Sequence, residues 1–518
     1  MSWRPQSQRE WIGLALAFVT LIVYANNVFS QQFLCDDAYI SFRYAEHLSI
    51  GEGLVWNVGE RVEGFTNFLW VLWLAFTMKF GLDPATVALA SGALSGAVVL
   101  AATVILSTGS KRWPDPLAFV APLCLASNRS FAAWASGGLE TMAFAAMLML
   151  GWVAYRYEAD ATQRRLWPSA LIFGFAFWLR PEAALFGLVV AVGVSLAALR
   201  GRLSTRGWIG WLLCWSLPMV TLSLFRWHYF GSWLPNTFAA KVPGLWWEQG
   251  FNYLSLAARA FAPLWLAPLA VAALWLRRSR IERALLISIC LYLLYVAAVG
   301  GDRFEFRFLV PILAPFYWLV GVTLRELIER RSVIAKPLAL SGAVLVIFLA
   351  ASGKSVLPAG DEAQGVASLE RIADYAVRRA EEGRFLRRQI DAGRLPQDWT
   401  ICVGGAGAVP YLTQWKTIDR RGLNDRYIAS QPLLKRGVVA HEREIPYDYM
   451  LQRGVVVFDA FNRLVHDYDP FRGQRATFRH DGQELQIIVI PIEDRFMVFA
   501  TPLRGAAIDE TFPQAIMR

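Results

Sequence analysis

The chain has 518 residues, of which 56% are hydrophobic and 18% are charged, and its formal net charge is +10. Soluble domains are usually about 45–50% apolar and about 25% charged, so this composition excludes an ordinary soluble protein. The apolar residues form runs of roughly 17–24 residues, the length that crosses a bilayer core. Because the arginines gather in short connections between these runs, the net charge indicates membrane orientation rather than a nucleic-acid partner.

The apolar runs predict a polytopic α-helical membrane domain over residues 1–352, with about 11–13 transmembrane helices. The first run, 11–29, is expected to be an uncleaved signal anchor. Further runs lie near 66–80, 85–107, 115–127, 138–155, 166–180, 182–199, 208–226, 253–276, 285–300, 308–326 and 335–352.

Basic clusters orient these helices, since cytoplasmic connections are enriched in Lys and Arg. If Lys111-Arg112 and similar clusters are cytoplasmic, the polar loop 30–65 faces outward. The charge pattern then does not allow the runs 66–80 and 85–107 both to cross fully. Either one of them is kinked or re-entrant, or Lys111-Arg112 is an exception to the charge rule.

From residue 353 the composition changes and predicts a soluble extracytoplasmic α/β domain over 353–518. Residues 368–392 carry apolar side chains at helical spacing among Arg and Glu, which is typical of an amphipathic helix. Strands are predicted at 400–403, 455–458, 485–490 and 496–499. The glycine-rich run 404–408 is interpreted as a tight turn after the first strand, because no Lys-Ser or Lys-Thr completes a phosphate loop.

Two adjacent carboxylates, Asp36 and Asp37, follow the first apolar run. Like charges this close raise one pKa and keep that group a usable base. A sugar transferase needs such a base within hydrogen-bond reach of the acceptor hydroxyl; the second carboxylate could orient it, bind sugar or hold a cation. The alternative is a solvated loop in which Asp caps a helix. Tyr39, Phe42 and Arg43 fall on one face and predict an amphipathic helix at the membrane interface.

Polar residues on the same predicted side are candidates for binding a donor phosphate or sugar, because a lipid phosphate needs cations and Arg offers two donors. The candidates are Arg43, Tyr44, Arg61, Glu140, Arg180, Glu182, His228, Asn236, Lys241, Asp302 and Arg303. Any single cation could instead snorkel at the interface. Arg180-Pro181-Glu182 stands out because charges within an apolar stretch usually face the bundle interior or a water-filled cavity. A structural Arg180–Glu182 or Asp302–Arg303 contact is the simpler alternative.

Several motifs then occur in one order along the chain. They are Asp-Asp-Ala-Tyr-Ile-Ser-Phe-Arg-Tyr-Ala (36–45), Gly-Glu-Arg-Val-Glu-Gly-Phe-Thr-Asn-Phe-Leu-Trp (59–70), Ser-Gly-Gly-Leu-Glu-Thr (136–141), Leu-Arg-Pro-Glu (179–182), Leu-Pro-Asn-Thr-Phe-Ala-Ala-Lys (234–241) and Gly-Gly-Asp (300–302). Together they resemble the GT-C membrane glycosyltransferases, and most closely the branch containing the mycobacterial terminal β-(1→2)-arabinofuranosyltransferase. The resemblance covers about 30–310, and Thr417-Ile418-Asp419 with Gly422-Leu423-Asn424-Asp425 extends it into the C-terminal domain.

The resemblance implies a GT-C-like fold and a polyprenyl-phosphate sugar donor, with arabinofuranose as the candidate sugar. It implies inverting transfer on the outer face of the bacterial inner membrane, with Asp36 as the base and Asp37 as its partner. The acceptor, a cell-envelope glycan, lipid or protein, is left open, and membrane lipids surround the helices. No cofactor is required, although Asp36 and Asp37 are able to hold a divalent metal.

Two positions depart from the family pattern. Gly137-Gly138 stands where relatives have one glycine, and Gly405 stands where relatives often have Asp. The second departure suggests that the C-terminal domain is not the catalytic centre or contacts the acceptor differently. Two other functions are a transporter or flippase, and an envelope assembly protein with an extracytoplasmic binding domain. A transporter is expected to carry charges near the midplane and paired broken helices, whereas here the charges gather at one face.

Overall fold

A computed structural model describes residues 7–109, 115–160, 167–241, 244–260, 267–268, 270–272, 279–329, 365–433, 436, 439, 441–513 and 515. The chain forms a helical part up to residue 329 and a mixed helix-and-sheet part from residue 365. The predicted run 335–352, most of the second half of the run 253–276 and the boundary between 352 and 353 lie outside the described residues.

The helical part is built from helices that follow the predicted apolar runs. They are α1 (Gln8–Ser30), α2 (Asp36–Ser49), α3 (Phe68–Met78), α4 (Pro84–Thr108), α5 (Val120–Ser127), α6 (Arg129–Ser136), α7 (Thr141–Asp160), α8 (Trp167–Ala176), α9 (Ala183–Leu199), α10 (Thr205–Phe230), α11 (Asn236–Lys241), α12 (Trp247–Ala260), α13 (Arg280–Ala298) and α14 (Val310–Glu329). Short 3-10 helices at Pro116–Phe119 and Arg307–Leu309 precede α5 and α14.

Five described helices are long and apolar enough to cross a membrane: Gln8–Ser30, Pro84–Thr108, Thr205–Phe230, Arg280–Ala298 and Arg307–Glu329. A sixth span results if α6 and α7, which meet at an angle of 113°, are counted together. Shorter apolar helices, such as α8 and α9, fill the space between them. The predicted number of 11–13 spans stays a prediction.

The length of helix α3 indicates which of the runs 66–80 and 85–107 does not cross the membrane. It has 11 residues. At the rise of an α-helix it measures about 16 Å, roughly half of the bilayer core. It therefore does not cross alone, whereas α4, with 25 residues, is long enough. This length favours the first of the two alternatives, a run that does not span.

The helices pack as one bundle. Helix α4 lies against α7, α7 against α8, and α8 against α10. Most residues of α14 are buried, whereas α1 and α10 leave many apolar side chains exposed. Apolar side chains on the outside are the pattern of helices that face lipid. The bundle thus has a protein-enclosed centre and an apolar periphery.

The C-terminal part combines helix α15 (Leu369–Asp391), four short helices and one mixed sheet. The short helices are α16 (Ala408–Thr413), α17 (Arg426–Ser430), α18 (Tyr447–Gln452) and α19 (Ala506–Thr511). The strands are β1 (Thr400–Val403), β2 (Lys416–Asp419), β3 (Val457–Phe458), β4 (Val465–His466), β5 (Thr477–His480), β6 (Gln483–Ile492) and β7 (Arg495–Thr501). Their order is β2-β1-β3-β7-β6-β5, and β4 pairs with β7.

In this sheet β1 is parallel to β2 and β3, and the remaining pairs are antiparallel. The predicted amphipathic helix and the four predicted strands are confirmed as α15, β1, β3, β6 and β7. Strands β2, β4 and β5 were not predicted. Two of them have four residues and one has two, too few to show an alternating pattern.

Helix α2 lies between the two parts, in contact with α3, α15 and α16. Ten of its fourteen residues are buried, including Tyr39, Phe42 and Arg43. The expectation of an amphipathic helix at the membrane interface is therefore wrong. Its polar face is covered by the C-terminal part instead of facing lipid head groups or water.

Candidate active site

The two predicted carboxylates lie in the first turn of α2. Cys35 precedes the helix, and its N–H donates to the carbonyl of Gly137 at 3.1 Å, which fixes where the helix begins. No side chain caps this end of the helix. The N-terminal turn favours negative charge through the helix dipole, so it suits Asp36 and Asp37.

A hydrogen bond joins Asp36 to the C-terminal part. Its Oδ1 accepts from the N–H of Ala408 at 2.9 Å, and only 6% of Asp36 is exposed. Gly407 permits this approach, because a Cβ there would lie 2.1 Å from the Asp36 carbonyl oxygen. A Cβ at Gly405 would lie 2.2 Å from the hydroxyl of Tyr375. The predicted turn after the first strand is confirmed, and it contacts the predicted base, a role that the sequence did not reveal.

Burial and neighbouring charges move the pKa values of the two carboxylates in opposite directions. Burial raises the pKa of Asp36, and the Ala408 N–H only partly opposes it. Burial would also raise the pKa of Asp37, but the positive charges of Arg303 and Lys241 outweigh this effect, and the pKa of Asp37 is lowered. Arg303 Nη2 donates to Asp37 Oδ1 at 2.7 Å. Asp36 is thus the stronger base, and Asp37 is the more stable anion.

Two cavities meet at these carboxylates. The polar cavity, of about 510 Å³, lies between α2, α15 and the sheet, and its lining includes Asp36, Tyr375, Arg379, Asp419 and Arg421. The apolar cavity, of about 420 Å³, is lined mostly by the helical part, and its walls include Phe177, Leu185, Leu234, Phe238 and Phe308. Residues that line both cavities are Asp37, Ile40, Lys241, Arg303 and Leu423. The Asp37–Arg303 ion pair is therefore the junction between a polar and an apolar space.

The structure brings eight of the predicted site residues to this junction. Besides Asp36 and Asp37, the apolar cavity is lined by Glu140, Arg180, Glu182, Lys241, Asp302 and Arg303. Their motifs are far apart in the sequence, and each lies at the end of an apolar run. Their assembly at one end of the bundle places these connections on the same side of the protein, and the prediction that this side faces outward stays a prediction.

Ion pairs hold most of these charges. Arg180 Nε lies 2.6 Å from Glu182 Oε1, and Arg180 Nη1 lies 3.4 Å from Glu140 Oε1. The structural Arg180–Glu182 contact is therefore present. Asp302 is held by Arg307 through two hydrogen bonds of 2.6 and 3.2 Å, rather than by Arg303.

Two cationic side chains that line the cavities have N–H groups that donate no hydrogen bond to the described residues. The Nη1 atom of Arg180 is buried and makes no hydrogen bond within the described residues. The ammonium of Lys241 likewise makes no hydrogen bond or ion pair with any part of the chain that the structure describes. Burial lowers the pKa of Lys241, and the Asp37 carboxylate opposes that effect. Both groups are placed to meet an anion in the apolar cavity.

His441 lies beside the junction and was not singled out from the sequence. Its Nε2 lies 3.3 Å from Arg303 Nη1. Burial and the positive charge of Arg303 lower the pKa of His441 to about 3, so the ring is neutral at physiological pH. A neutral imidazole can accept a hydrogen bond from Arg303 and orient its guanidinium. A lone His in a charged loop gives no signal that would have identified it.

Five predicted residues line neither cavity. Tyr44 donates to the carbonyl of Val62 at 2.6 Å, and Asn236 donates to the carbonyls of Gly422 and Leu423 at 2.9 and 2.8 Å. Arg61 stacks on the Tyr229 ring, 4.6 Å from its centre, and His228 is exposed. The fifth is Arg43, which is buried against backbone carbonyls. The first three and Arg43 contact neighbouring segments, His228 is exposed, and none of the five borders the cavities.

Arg43 fastens α2 to the C-terminal part. Its Nε, Nη1 and Nη2 donate to the carbonyls of Trp56, Pro410 and Trp415 at 2.6, 2.6 and 2.9 Å. We expect Arg43→Met to cost about 3–5 kcal/mol, because three buried carbonyls lose a charged donor. Thermal unfolding of the purified protein in detergent measures this. The matched control is Arg61→Met, whose exposed guanidinium should contribute less than about 1 kcal/mol; equal losses would contradict the structural role of Arg43.

No group of three His, Cys, Asp or Glu side chains in the described parts of the chain is arranged to hold a metal ion. At the junction only Asp36 and Asp37 are adjacent carboxylates, and Asp37 is paired with Arg303. A metal bound by both aspartates would have to displace this arginine. Metal dependence is therefore a matter for experiment.

Comparison with known sequences gives one matching family and two curated relatives. The family described as a domain of unknown function (DUF8728) matches residues 370–489. Terminal beta-(1->2)-arabinofuranosyltransferase of Mycobacterium tuberculosis is 29% identical in an alignment of 318 residues that covers 58% of this chain and 46% of that protein. The Corynebacterium glutamicum protein of the same name is 26% identical over 352 residues, covering 58% and 49%. This chain thus matches about half the length of these curated relatives.

Solved structures show the same fold. ArnT from Cupriavidus metallidurans bound to undecaprenyl phosphate superposes with a TM-score of 0.57 at 14% identity, covering 96% of this chain and 99% of ArnT. The Archaeoglobus fulgidus oligosaccharyltransferase tethered with an acceptor peptide gives 0.50 at 11% identity, covering 89% and 69%. At these identities the likeness shows the fold alone. The predicted resemblance and fold class are confirmed: the chain is a multi-pass membrane protein with the GT-C fold and a sheet-containing C-terminal domain, similar in sequence to terminal β-(1→2)-arabinofuranosyltransferases.

Proposed function

We propose that the protein is an inverting glycosyltransferase that uses a polyprenyl-phosphate sugar. It transfers the sugar to a hydroxyl of a cell-envelope glycan, lipid or protein on the outer face of the bacterial cytoplasmic membrane. The observation that carries this proposal is the junction at Asp37–Arg303, where the polar and apolar cavities share a wall. A lipid-linked donor needs apolar walls and cations, whereas a sugar acceptor needs a polar space that reaches the same point.

The donor occupies the apolar cavity in this proposal. Its isoprenoid chain lies against walls such as Phe177, Leu185 and Phe308. Its phosphate meets Lys241 and the Arg180 guanidinium, whose Nη1 lies 3.4 Å from Glu140 Oε1 but makes no hydrogen bond within the described residues. The names of the relatives support this class of donor, since ArnT was solved with undecaprenyl phosphate. The sugar is arabinofuranose if the donor matches the one that the relatives' name implies.

The base is Asp36 rather than Asp37. A carboxylate whose pKa is lowered by cations is a weak base, whereas burial makes Asp36 a stronger one. Asp36 also lines the polar cavity, where the acceptor would bind, and only its Oδ1 is occupied by the Ala408 N–H. Within the described residues, Oδ2 makes no hydrogen bond and remains available for a hydroxyl proton. Asp37 instead holds Arg303 at the junction.

The reaction then proceeds in one displacement. The acceptor hydroxyl gives its proton to Asp36 Oδ2, and the hydroxyl oxygen attacks the anomeric carbon from the face opposite the phosphate. The bond between the anomeric carbon and the phosphate oxygen breaks, and its electron pair leaves with polyprenyl phosphate. Arg303 and Lys241 stabilise the negative charge that develops on the departing phosphate. The products are the glycosylated acceptor with inverted anomeric configuration and polyprenyl phosphate.

Purified full-length protein in detergent tests this proposal directly. It is offered radiolabelled polyprenyl-phosphate arabinofuranose and, separately, other polyprenyl-phosphate sugars, with and without EDTA. We expect one donor to be consumed with release of polyprenyl phosphate, and the reaction to depend on Asp36. Consumption of no donor, or equal turnover by wild type and Asp36→Asn, would overturn the proposal and favour transport of a lipid-linked substrate. Loss of activity in EDTA, restored by a divalent cation, would add a metal to the mechanism.

The pH dependence of transfer follows from the raised pKa of Asp36. The base works only when ionised, so kcat/KM falls as the pH drops through that pKa, at a higher pH than for a free aspartate. The charge of Asp37 contributes to the raised value. Asp37→Asn removes this charge and frees the Arg303 cation, so the acid limb of the remaining activity should move to lower pH. A pH–rate profile of both proteins checks the shift, and an unmoved limb would mean that another group titrates.

A further inference from the structure

A third cavity lies at the opposite end of the bundle from Asp36. It has a volume of about 390 Å³ and lies between α9 and α13. Helix α9 begins next to Glu182 at the junction and ends at Leu199, and its 17 residues span about 25 Å. Four arginines line the far end: Arg200, Arg202, Arg280 and Arg283. We refer to this cavity as the arginine groove.

The walls of the arginine groove are apolar and open to the surroundings. Leu188 and Val192 of α9 are 47% and 51% exposed, and Ile287 of α13 is 52% exposed. Gly193 adds no side chain to the groove, where a Cβ would lie 3.3 Å from the Tyr155 hydroxyl. In a membrane-spanning bundle, such a surface is in contact with acyl chains. The walls therefore suit a hydrocarbon chain that runs along α9 and α13.

The side chains that line the end of the groove are positively charged. None of the described residues that line it is a carboxylate. The guanidinium groups of Arg200 and Arg280 make no hydrogen bond or ion pair within the parts of the chain described by the structure. Arg280 is also the first residue of α13, and the side chain of the preceding Ser279 does not cap the helix. Free N–H groups and the helix dipole add to the attraction for an anion there.

We propose that the arginine groove binds an anionic phospholipid of the surrounding membrane. Its phosphate contacts Arg200 and Arg280, and one acyl chain lies between α9 and α13. A soluble anion would not use the apolar walls, and a neutral lipid would not need four arginines. Basic pockets between transmembrane helices are known to select anionic head groups. This site is separate from the donor cavity, so the inference does not depend on the proposed enzymatic function.

Lipid titration of the purified full-length protein in neutral detergent tests the proposal. Thermal unfolding is followed with phosphatidylglycerol, phosphatidylcholine or soluble glycerol phosphate, and native mass spectrometry counts bound lipid. We compare wild type with Arg200→Gln/Arg280→Gln and with Arg9→Gln/Arg206→Gln. The second variant loses the same charge at exposed positions outside the groove. The variants' unfolding temperatures without lipid show whether each one folds.

We expect phosphatidylglycerol to stabilise the wild type and the Arg9/Arg206 variant. The groove variant should bind it about thirtyfold more weakly, since each arginine near an anionic lipid contributes about fivefold. Equal stabilisation by phosphatidylcholine or by glycerol phosphate would overturn the proposal. So would an unchanged affinity of the groove variant, or equal losses in both variants, which would indicate general charge attraction. If the groove variant does not fold, the single variants Arg200→Gln and Arg280→Gln replace it; each should bind phosphatidylglycerol about fivefold more weakly, and unchanged affinity in both would overturn the proposal.

Discussion

Replacing Asp36 by Asn is expected to lower kcat for sugar transfer by about 10²–10⁴-fold, the contribution of a general base. The amide cannot take the proton of the acceptor hydroxyl. It keeps the shape of the carboxylate and still accepts from the Ala408 N–H through Oδ1. Because burial disfavours the charge on Asp36, the neutral side chain should leave thermal stability unchanged or slightly higher. Single-turnover assays with the labelled donor, beside thermal unfolding, separate these two effects.

Asp37→Asn is the matched control, since it changes the same functional group one residue away. It breaks the ion pair with Arg303 and should weaken donor binding more than it slows the chemical step. We therefore expect KM for the donor to rise while a measurable kcat remains. If Asp37→Asn abolishes kcat and Asp36→Asn does not, the roles of the two carboxylates are exchanged. If both retain full kcat, neither is the base.

Most of the architecture could be predicted because its cause is local. Runs of apolar residues specify membrane helices within one segment, and short runs rich in β-branched and aromatic residues between turn residues specify strands such as β6 and β7. Arg180 and Asp302 could be recognised as candidate site residues because charged residues in or beside apolar runs seldom face lipid. These signals depend on neighbours in the sequence, and a single sequence contains them in full.

The rest could not be predicted because its cause is non-local. The polar face of α2 looked solvent-exposed, but Arg43 binds carbonyls more than 360 residues away. The bond between Asp36 and Ala408 spans 372 residues. Nothing near either partner shows that the C-terminal part covers this helix. The sequence predicts only a turn for the run 404–408, and the close approach to Asp36 that leaves no room for a Cβ at Gly407 is seen in the structure alone.

The buried pair of Glu63 and Arg226 was missed for the same reason, although an arginine at the end of the run 208–226 is itself a signal. Arg226 Nε lies 2.9 and 3.0 Å from the two carboxylate oxygens of Glu63. Glu63 is 2% and Arg226 1% exposed. The ion pair connects the loop after α2 to helix α10. It therefore positions the residues that follow Glu63, which lie at the edge of the apolar cavity.

Glu63→Leu should destabilise the protein by about 3–5 kcal/mol, because it leaves the Arg226 guanidinium buried without its partner. Arginine does not deprotonate and Leu does not ionise, so this site adds no pH dependence to the stability of the Glu63→Leu variant itself between pH 6 and pH 8. Arg226→Met is expected to behave differently. Burial raises the pKa of Glu63 to about 7 even beside Arg226, and without that cation it rises further. Glu63 is then protonated at pH 6 and tolerated, whereas at higher pH its ionisation costs stability.

Thermal unfolding of both variants at the two pH values measures this asymmetry, and the double variant Glu63→Leu/Arg226→Met completes the cycle. The sign follows from the linkage between proton binding and folding. A carboxyl group whose pKa is higher in the folded than in the unfolded protein stabilises the fold at pH values below its unfolded pKa. This contribution is lost as the pH rises through the pKa of the folded protein. The Arg226→Met variant should therefore lose stability from pH 6 to pH 8 relative to the double variant. The double variant should recover most of the loss seen in Glu63→Leu, because no buried charge remains. Additive losses would mean that the two side chains stabilise the loop independently.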